Sequence, residues 1–318
     1  MLNLDKLLQR MAGSCLPGKK SLMKKDALLE KISRLDKLPM LPDVAMRIID
    51  LSNDPDLYAS KVAEVISTDP VLSARLLQVS NSSMFPFRRE ITNLNEALAI
   101  LGVQLTMSIA VGFAIIDMMR ARESEESGFN HDAFWRKSVL SAIAAIEMCN
   151  KLKAVQQGDL FVAALMQDIG MVALENIAGK KYAQLVNSAR SHLDLVELER
   201  RVFGIDHAEV GTAILTRWKL PQLHIDAVRN SHHLLEAKPM DQLNDLEYSV
   251  AFSGLLAEQW IAETPYAEQL NASIKRSITR ISEEGLKHIV SNTVEAIPGA
   301  NEVFKMTLLE QGQLPAID

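Results

Sequence analysis

Short apolar runs recur along the chain, each introduced by a polar capping residue, and the rhythm is that of helices. Asp69-Pro70 opens VLSARLLQVS: an aspartate accepts from free helix N–H groups, and proline is tolerated at the first helical position. Asn93 and Glu96 have capping-box spacing ahead of Leu98, Ile100 and Leu101, and Asp206 with Glu209 repeats the box before VGTAILTRW. After Gly102 the run VQLTMSIAVGFAII is apolar nearly all round, the pattern of a helix buried inside a bundle. Pro221 restarts a helix after Trp218-Lys219-Leu220. No run of alternating β-branched residues closes in an Asn-Gly or Asp-Gly turn. Ser80 to Phe87 reads as an irregular loop. The expectation is an all-α, two-lobed helical bundle. The polar, acidic stretch 121–130 divides an N-terminal lobe (27–120) from a C-terminal lobe (131–318).

Composition agrees with helices. Of 318 residues 48% are hydrophobic and 5% aromatic, with 14 Gly and 11 Pro, fewer turn-formers than a loop-rich β fold uses. Net charge is −6, so a pervasive nucleic-acid-binding surface is not expected. Charge is nevertheless uneven: residues 1–40 carry +5. Residues 1–26 form a basic arm in which Leu2, Leu4, Leu7 and Leu8 make one amphipathic turn before Pro17-Gly18 and four lysines. It reads as a solvated arm, with partner docking or membrane-surface binding as the alternative. Cys15 and Cys149 form no disulfide framework. The start lacks a signal peptide's unbroken apolar run, and the longest apolar segment, Ile109–Ile116, is shorter than the roughly 20 residues of a spanning helix. The expected location is the cytoplasm, with no membrane span.

Phosphate loops, dinucleotide fingerprints, nucleophile elbows, HExxH and zinc-type cysteine clusters are missing. Seven histidines remain. Asp168, His207, His232 and His233 make a mixed set suited to a divalent transition metal able to generate hydroxide. On a helix, His232 and His233 would project about 100° apart, facing two metals or a metal and a substrate. His131-Asp132 is a literal His-Asp pair, but its place before Phe134-Trp135 reads as a capped surface helix end.

Several motifs in order give the sequence a family resemblance: Leu38-Pro39-Met40-Leu41-Pro42, Asp69 to Leu72, Val79-Ser80-Asn81-Ser82, and Ile91 to Ala97 with Leu101-Gly102. Phe134-Trp135-Arg136, Ala163 to Gly170, Trp218-Lys219-Leu220-Pro221 and the His232-His233 pair follow. Over roughly residues 30–260 the chain resembles the HDOD family, the signalling branch of the HD metal-dependent phosphohydrolase superfamily, related to HD-GYP proteins.

That resemblance implies a His-Asp metal dyad, an early histidine after Phe-Trp-Arg and a late aspartate. Here the dyad reads Gln167-Asp168, the early position is Lys137, and Val250–Leu255 has no aspartate. The resemblance therefore implies a degenerate site and no enzyme activity, with Lys137 pairing with Asp168. No bound metal is expected, with a divalent transition metal the cofactor if there is one. Ligand-pocket candidates are Lys137, Gln167, Asp168, His207, His232 and His233. A bacterial regulatory role follows, through a small ligand or signalling partners, cyclic di-GMP pathway components among them. With no receiver, GGDEF-like or EAL-like segment here, inputs are expected from separate chains. The alternatives are a residual phosphohydrolase using Asp168, His207, His232 and His233, and a nucleotide sensor in which Lys137 and the histidines hold phosphate.

Overall fold

The computed structural model describes residues 40–310 and 313, apart from 53, 84–89, 122, 124, 150–151, 153–154, 237 and 263–265. The basic arm, Cys15 and the Met84–Phe87 part of the expected loop lie outside the described residues. Helices run in chain order through Asp43–Ser52 (α1), Ala59–Ser67 (α2), Pro70–Ser80 (α3), Leu94–Leu101 (α4) and Val103–Arg120 (α5). Next come His131–Cys149 (α6), Gln157–Met166 (α7), Ile169–Ala178 (α8), Lys180–Ser188 (α9) and His192–Phe203 (α10). The last are His207–Arg217 (α11), Gln222–Arg229 (α12), Asp245–Ile261 (α13), Tyr266–Ser277 (α14) and Glu283–Phe304 (α15). Among the described residues there is no strand.

The helix starts follow the local chemistry. The Asp69 carboxylate accepts from the N–H groups of Val71 and Leu72, and Asn93 accepts from Glu96 N–H. Asp206 and Glu209 form a complete capping box at α11. At α6 the cap is Asn130, whose Oδ1 accepts from Ala133 N–H at 2.9 Å. His131 is thus at a capped helix end as expected, but it is buried, set edge-on to Phe129 with ring centres 4.9 Å apart.

One apolar core runs from α1 to α15. In the first half α5 is its centre, packed on α1 and, across the chain, on α7. In the second half α6, α7 and α13 pack on one another. The 121–130 stretch contains a short 3-10 turn, Glu125–Ser127, and the buried Phe129. From the far end, α15 returns to α3 and α6: Gly299 N–H donates to Ser83 Oγ at 3.1 Å, and Phe304 packs on Phe113. By length and apolarity, Val103–Arg120 and Gln157–Ala178 do reach membrane-spanning size, because mean hydropathy over a helix length stays high although polar residues, Asp168 among them, interrupt the apolar runs. Both lie mostly inside the fold, 67% and 89% buried.

The closest approach that shapes the site is between α8 and α11. A Cβ on Gly170 would sit 1.9 Å from the backbone oxygen of His207 and 2.8 Å from Gly211 N. Glycine therefore brings the start of α8, with Asp168 just before it, against the start of α11 and His207. Replacing Gly170 by alanine should destabilise the chain by about 2 kcal/mol or more, because backbone cannot yield as a side chain can. That loss is expected although alanine is the better helix former by up to ~1 kcal/mol. Urea unfolding measures it; an unchanged midpoint would mean that α8 and α11 separate freely.

Candidate functional site

Four buried side chains converge from separate elements: Asp168 between α7 and α8, His192 and His207 at the starts of α10 and α11, and His232 in the turn after α12. The caps on Ser191 and Asp206 free the histidines that follow them to point inward. Asp168 precedes α8 but caps none of its N–H groups, so its carboxylate is available to the interior.

The convergence has a specific geometry. His192 Nε2 lies 3.1 Å from His207 Nε2 and 3.2 Å from His232 Nε2. Asp168 Oδ1 lies 3.4, 3.5 and 3.7 Å from the Nε2 atoms of His207, His192 and His232. A tetrahedral zinc-type ion with bonds near 2.0–2.1 Å sets its ligand atoms roughly 3.3–3.4 Å apart. Three imidazole nitrogens and one carboxylate oxygen are thus spaced as ligands of one ion. Hydrogen bonding satisfies such a set poorly without an ion, since each imidazole edge needs a donor facing an acceptor. These residues fit a divalent transition metal.

A second layer fixes one of the histidines. Glu199, fully buried, accepts from His207 N–H at 2.9 Å and from His207 Nδ1 at 2.6 Å. Its other oxygen accepts from Tyr182 Oη at 2.5 Å. With the proton on Nδ1, the Nε2 lone pair is aimed at the centre, the arrangement that orients metal-bound histidines. In the metal-free chain burial opposes charge on His207, but Glu199 and Asp168 outweigh it and raise its pKa to about 10. His232 goes the other way, to about 4, through burial and then its neighbour His207.

Lys137, on α6, closes the other side. Its Nζ is 2.9 Å from Asp168 Oδ2, 2.7 Å from Glu258 Oε2 and 3.2 Å from His192 Nδ1. Burial disfavours the ammonium, yet the two carboxylates outweigh that and hold its pKa above the usual lysine value. Burial would likewise raise both carboxylates; Lys137, joined at Asp168 by His192, keeps each below its usual range. The expected Lys137–Asp168 pair is therefore present, with Glu258 as an additional partner.

Of the residues singled out in the sequence, Asp168, His207, His232 and Lys137 meet. Two candidates do not join them. His233 points away, its Nε2 2.7 Å from the carbonyl oxygen of Pro239. The helix ends at Arg229, so both histidines sit in turns and the 100° projection does not apply. Gln167 donates to Ser141 Oγ and to the Ala164 carbonyl, with its amide against Gly254 on α13. Sequence reasoning missed His192, Glu199 and Glu258. His192 follows an N-cap serine, and Glu258 stands one turn beyond the segment searched for a late acid. Those were the available signals.

A cavity of about 290 Å³ opens beside this centre. Lys137, Asp168, His192, Glu258 and Tyr266 line it together with Phe129, Phe134, Met171, Leu195 and Ile261. Tyr266 Oη accepts from His192 N–H at 3.2 Å.

Residues 38–234 match the HDOD domain. The chain belongs to the HDOD family. Among solved structures, an HDOD domain protein of unknown function from Geobacter sulfurreducens is 24% identical, with a TM-score of 0.69 over 95% of this chain and 99% of its own. Two Shewanella amazonensis proteins, one provisionally named a phosphohydrolase and the other a metal-dependent phosphohydrolase, are each 22% identical. Their TM-scores are 0.67 over 91% of this chain and 98% of theirs, and 0.62 over 86% and 97%. At these identities the likeness is one of fold. An uncharacterised protein of Treponema pallidum (strain Nichols) is 24% identical over 264 residues, 83% of this chain; the match spans half of that protein's length.

Removing the ammonium alone would leave Asp168 and Glu258 buried without their cation. Lys137→Met is expected to destabilise by about 3–5 kcal/mol. Adding Glu258→Leu should recover part of that loss, because the second change removes a charge the first left unpaired. A double-mutant cycle in urea measures the coupling; additive losses would show that the pair does not act as a unit.

Proposed function

We propose that this HDOD chain is a regulatory binding module that hydrolyses nothing, and that its metal seat is structural. The observation that carries the reading is the Lys137 ammonium lodged between Asp168 and Glu258. In the resembled hydrolases, the early histidine and the dyad histidine stand where this chain has Lys137 and Gln167. A fixed ammonium occupies one position and a hydrogen-bonded amide the other, so residues on that side offer no second metal seat. Asp168, His192, His207 and His232 would hold one ion. Four protein ligands around a tetrahedral ion leave no open coordination position for water, the pattern of structural rather than catalytic sites. When bound, a dication supplies fixed positive charge and a rigid tie between the starts of α8, α10 and α11 and the turn after α12. Glu199 and Tyr182 hold His207 in the ligating tautomer, while Lys137 neutralises Asp168 on its far side.

Regulation would then proceed through a ligand in the adjacent cavity and through signalling proteins that sense the liganded state, cyclic di-GMP pathway components among them. One observation favours a second reading, a single-metal phosphohydrolase: the ligand cluster borders a cavity that a substrate could enter.

Equilibrium dialysis with Zn²⁺, Mn²⁺ and Fe²⁺ should give one ion per chain, with binding lost in His192→Ala and in His207→Ala. The loaded protein should turn over neither bis(4-nitrophenyl) phosphate nor a cyclic dinucleotide above the metal-only blank. Turnover that disappears in Asp168→Asn would establish the phosphohydrolase reading instead.

A further inference from the structure

All four side chains of the metal seat are buried. A dication cannot cross apolar packing at a tolerable cost, so its path must offer oxygen and nitrogen atoms as it sheds water. Two of the four, Asp168 and His192, line the cavity, and Glu258 and Lys137 line it with them. Glu258 and Lys137 keep more side-chain surface open to solvent, 15% and 11%, than His192 and Asp168, at 7% and 3%. His207 has none. Glu258 is a carboxylate left over from the seat: it is not one of the four, yet it faces the same ammonium as Asp168, at 2.7 Å against 2.9 Å. That ammonium also lies 3.2 Å from Nδ1 and 3.5 Å from Nε2 of His192. Lys137 therefore abuts both seat residues that border the cavity and the extra carboxylate beside them. To a dication in the cavity, Glu258 is an attraction and Lys137 a repulsion.

From this arrangement we infer that the cavity is the route by which a divalent cation enters and leaves the seat, with Glu258 as the group that first receives it and Lys137 as the gate. Passage requires the ammonium to release Glu258 and Asp168. Glu258 then lends its carboxylate to the arriving ion and returns to Lys137 once Asp168 and the histidines hold it. Glu258 thereby speeds filling of the seat, and Lys137 slows it. The inference rests on the reading of the cluster as a metal seat, and adds the path to it and the two residues that govern passage.

The test uses the full chain and Co²⁺, whose visible absorption reports a four-coordinate nitrogen and oxygen site. Stopped flow measures association, and excess EDTA measures release. Glu258→Gln, an isosteric change, should slow association by about tenfold, the lower end of what charge in a cleft contributes to arrival. Lys137→Met, where it folds, should speed association by about tenfold or more. Ala133→Trp and Ala189→Trp, on two segments that line the cavity, should each slow association and release by the same factor. Their dissociation constants should not change, because a blocked path raises the barrier in both directions. Damage to the seat would instead weaken binding and speed release. Wild-type association rates in folded tryptophan variants would overturn the route, and a wild-type rate in Glu258→Gln would overturn the assignment of Glu258. Equilibrium dialysis separates the two readings. Absence of Co²⁺ binding rejects the seat itself, whereas binding at rates that none of these changes alters rejects only the route.

Discussion

Asp168 faces two ways, and the centre of this protein depends on it. Its Oδ1 meets three imidazole nitrogens at 3.4–3.7 Å, and its Oδ2 meets the Lys137 ammonium at 2.9 Å. A carboxylate buried this deeply is tolerated only when cations or donors surround it. One side offers imidazoles suited to an exchangeable ion; the other offers a cation joined covalently to the chain. With a dication bound, the carboxylates of Asp168, Glu199 and Glu258 balance the ion and the ammonium, leaving a neutral core in which each charge has an opposite neighbour.

An ammonium and a metal ion differ in what they do for a pocket. Both supply positive charge. A transition metal also polarises an attached water and accepts new ligands. Lys137 is paired with the Asp168 and Glu258 carboxylates and activates no water. Here it balances the charges of Asp168 and Glu258 and so ties α6 to the start of α8 and to α13. The pair need not add net stability over an apolar replacement, because desolvation of both charges opposes their attraction.

Much of the fold was legible because helix signals are short-range. Asp69, Asn93 and Asp206 each bond to N–H groups within three residues, so spacing alone located the starts of α3, α4 and α11. Asp168 stood out through the resemblance of its flanking residues, and Lys137 through the residue it replaces. The membrane-sized apolarity of Val103–Arg120 exceeds what its longest unbroken apolar run implies, because it is spread over the whole helix.

The sequence by itself determined the helices, the family resemblance and the presence of Lys137 and Gln167 where that resemblance implies histidines, since each is written in neighbouring residues. Only the tertiary structure decided which histidines belong together. His232 and His233 are adjacent, yet the turn after α12 sends one to the cluster around Asp168 and the other to the Pro239 carbonyl. His192 and Glu258 are remote from Asp168 in the chain and carry no distinguishing local pattern. Their membership depends on the path of α9 and α10 and on the packing of α13 against α6. It also depends on the close approach at Gly170, where two backbones meet with no room for a side chain. Contacts of this kind arise from long-range packing, which the spacing of residues along a chain does not encode.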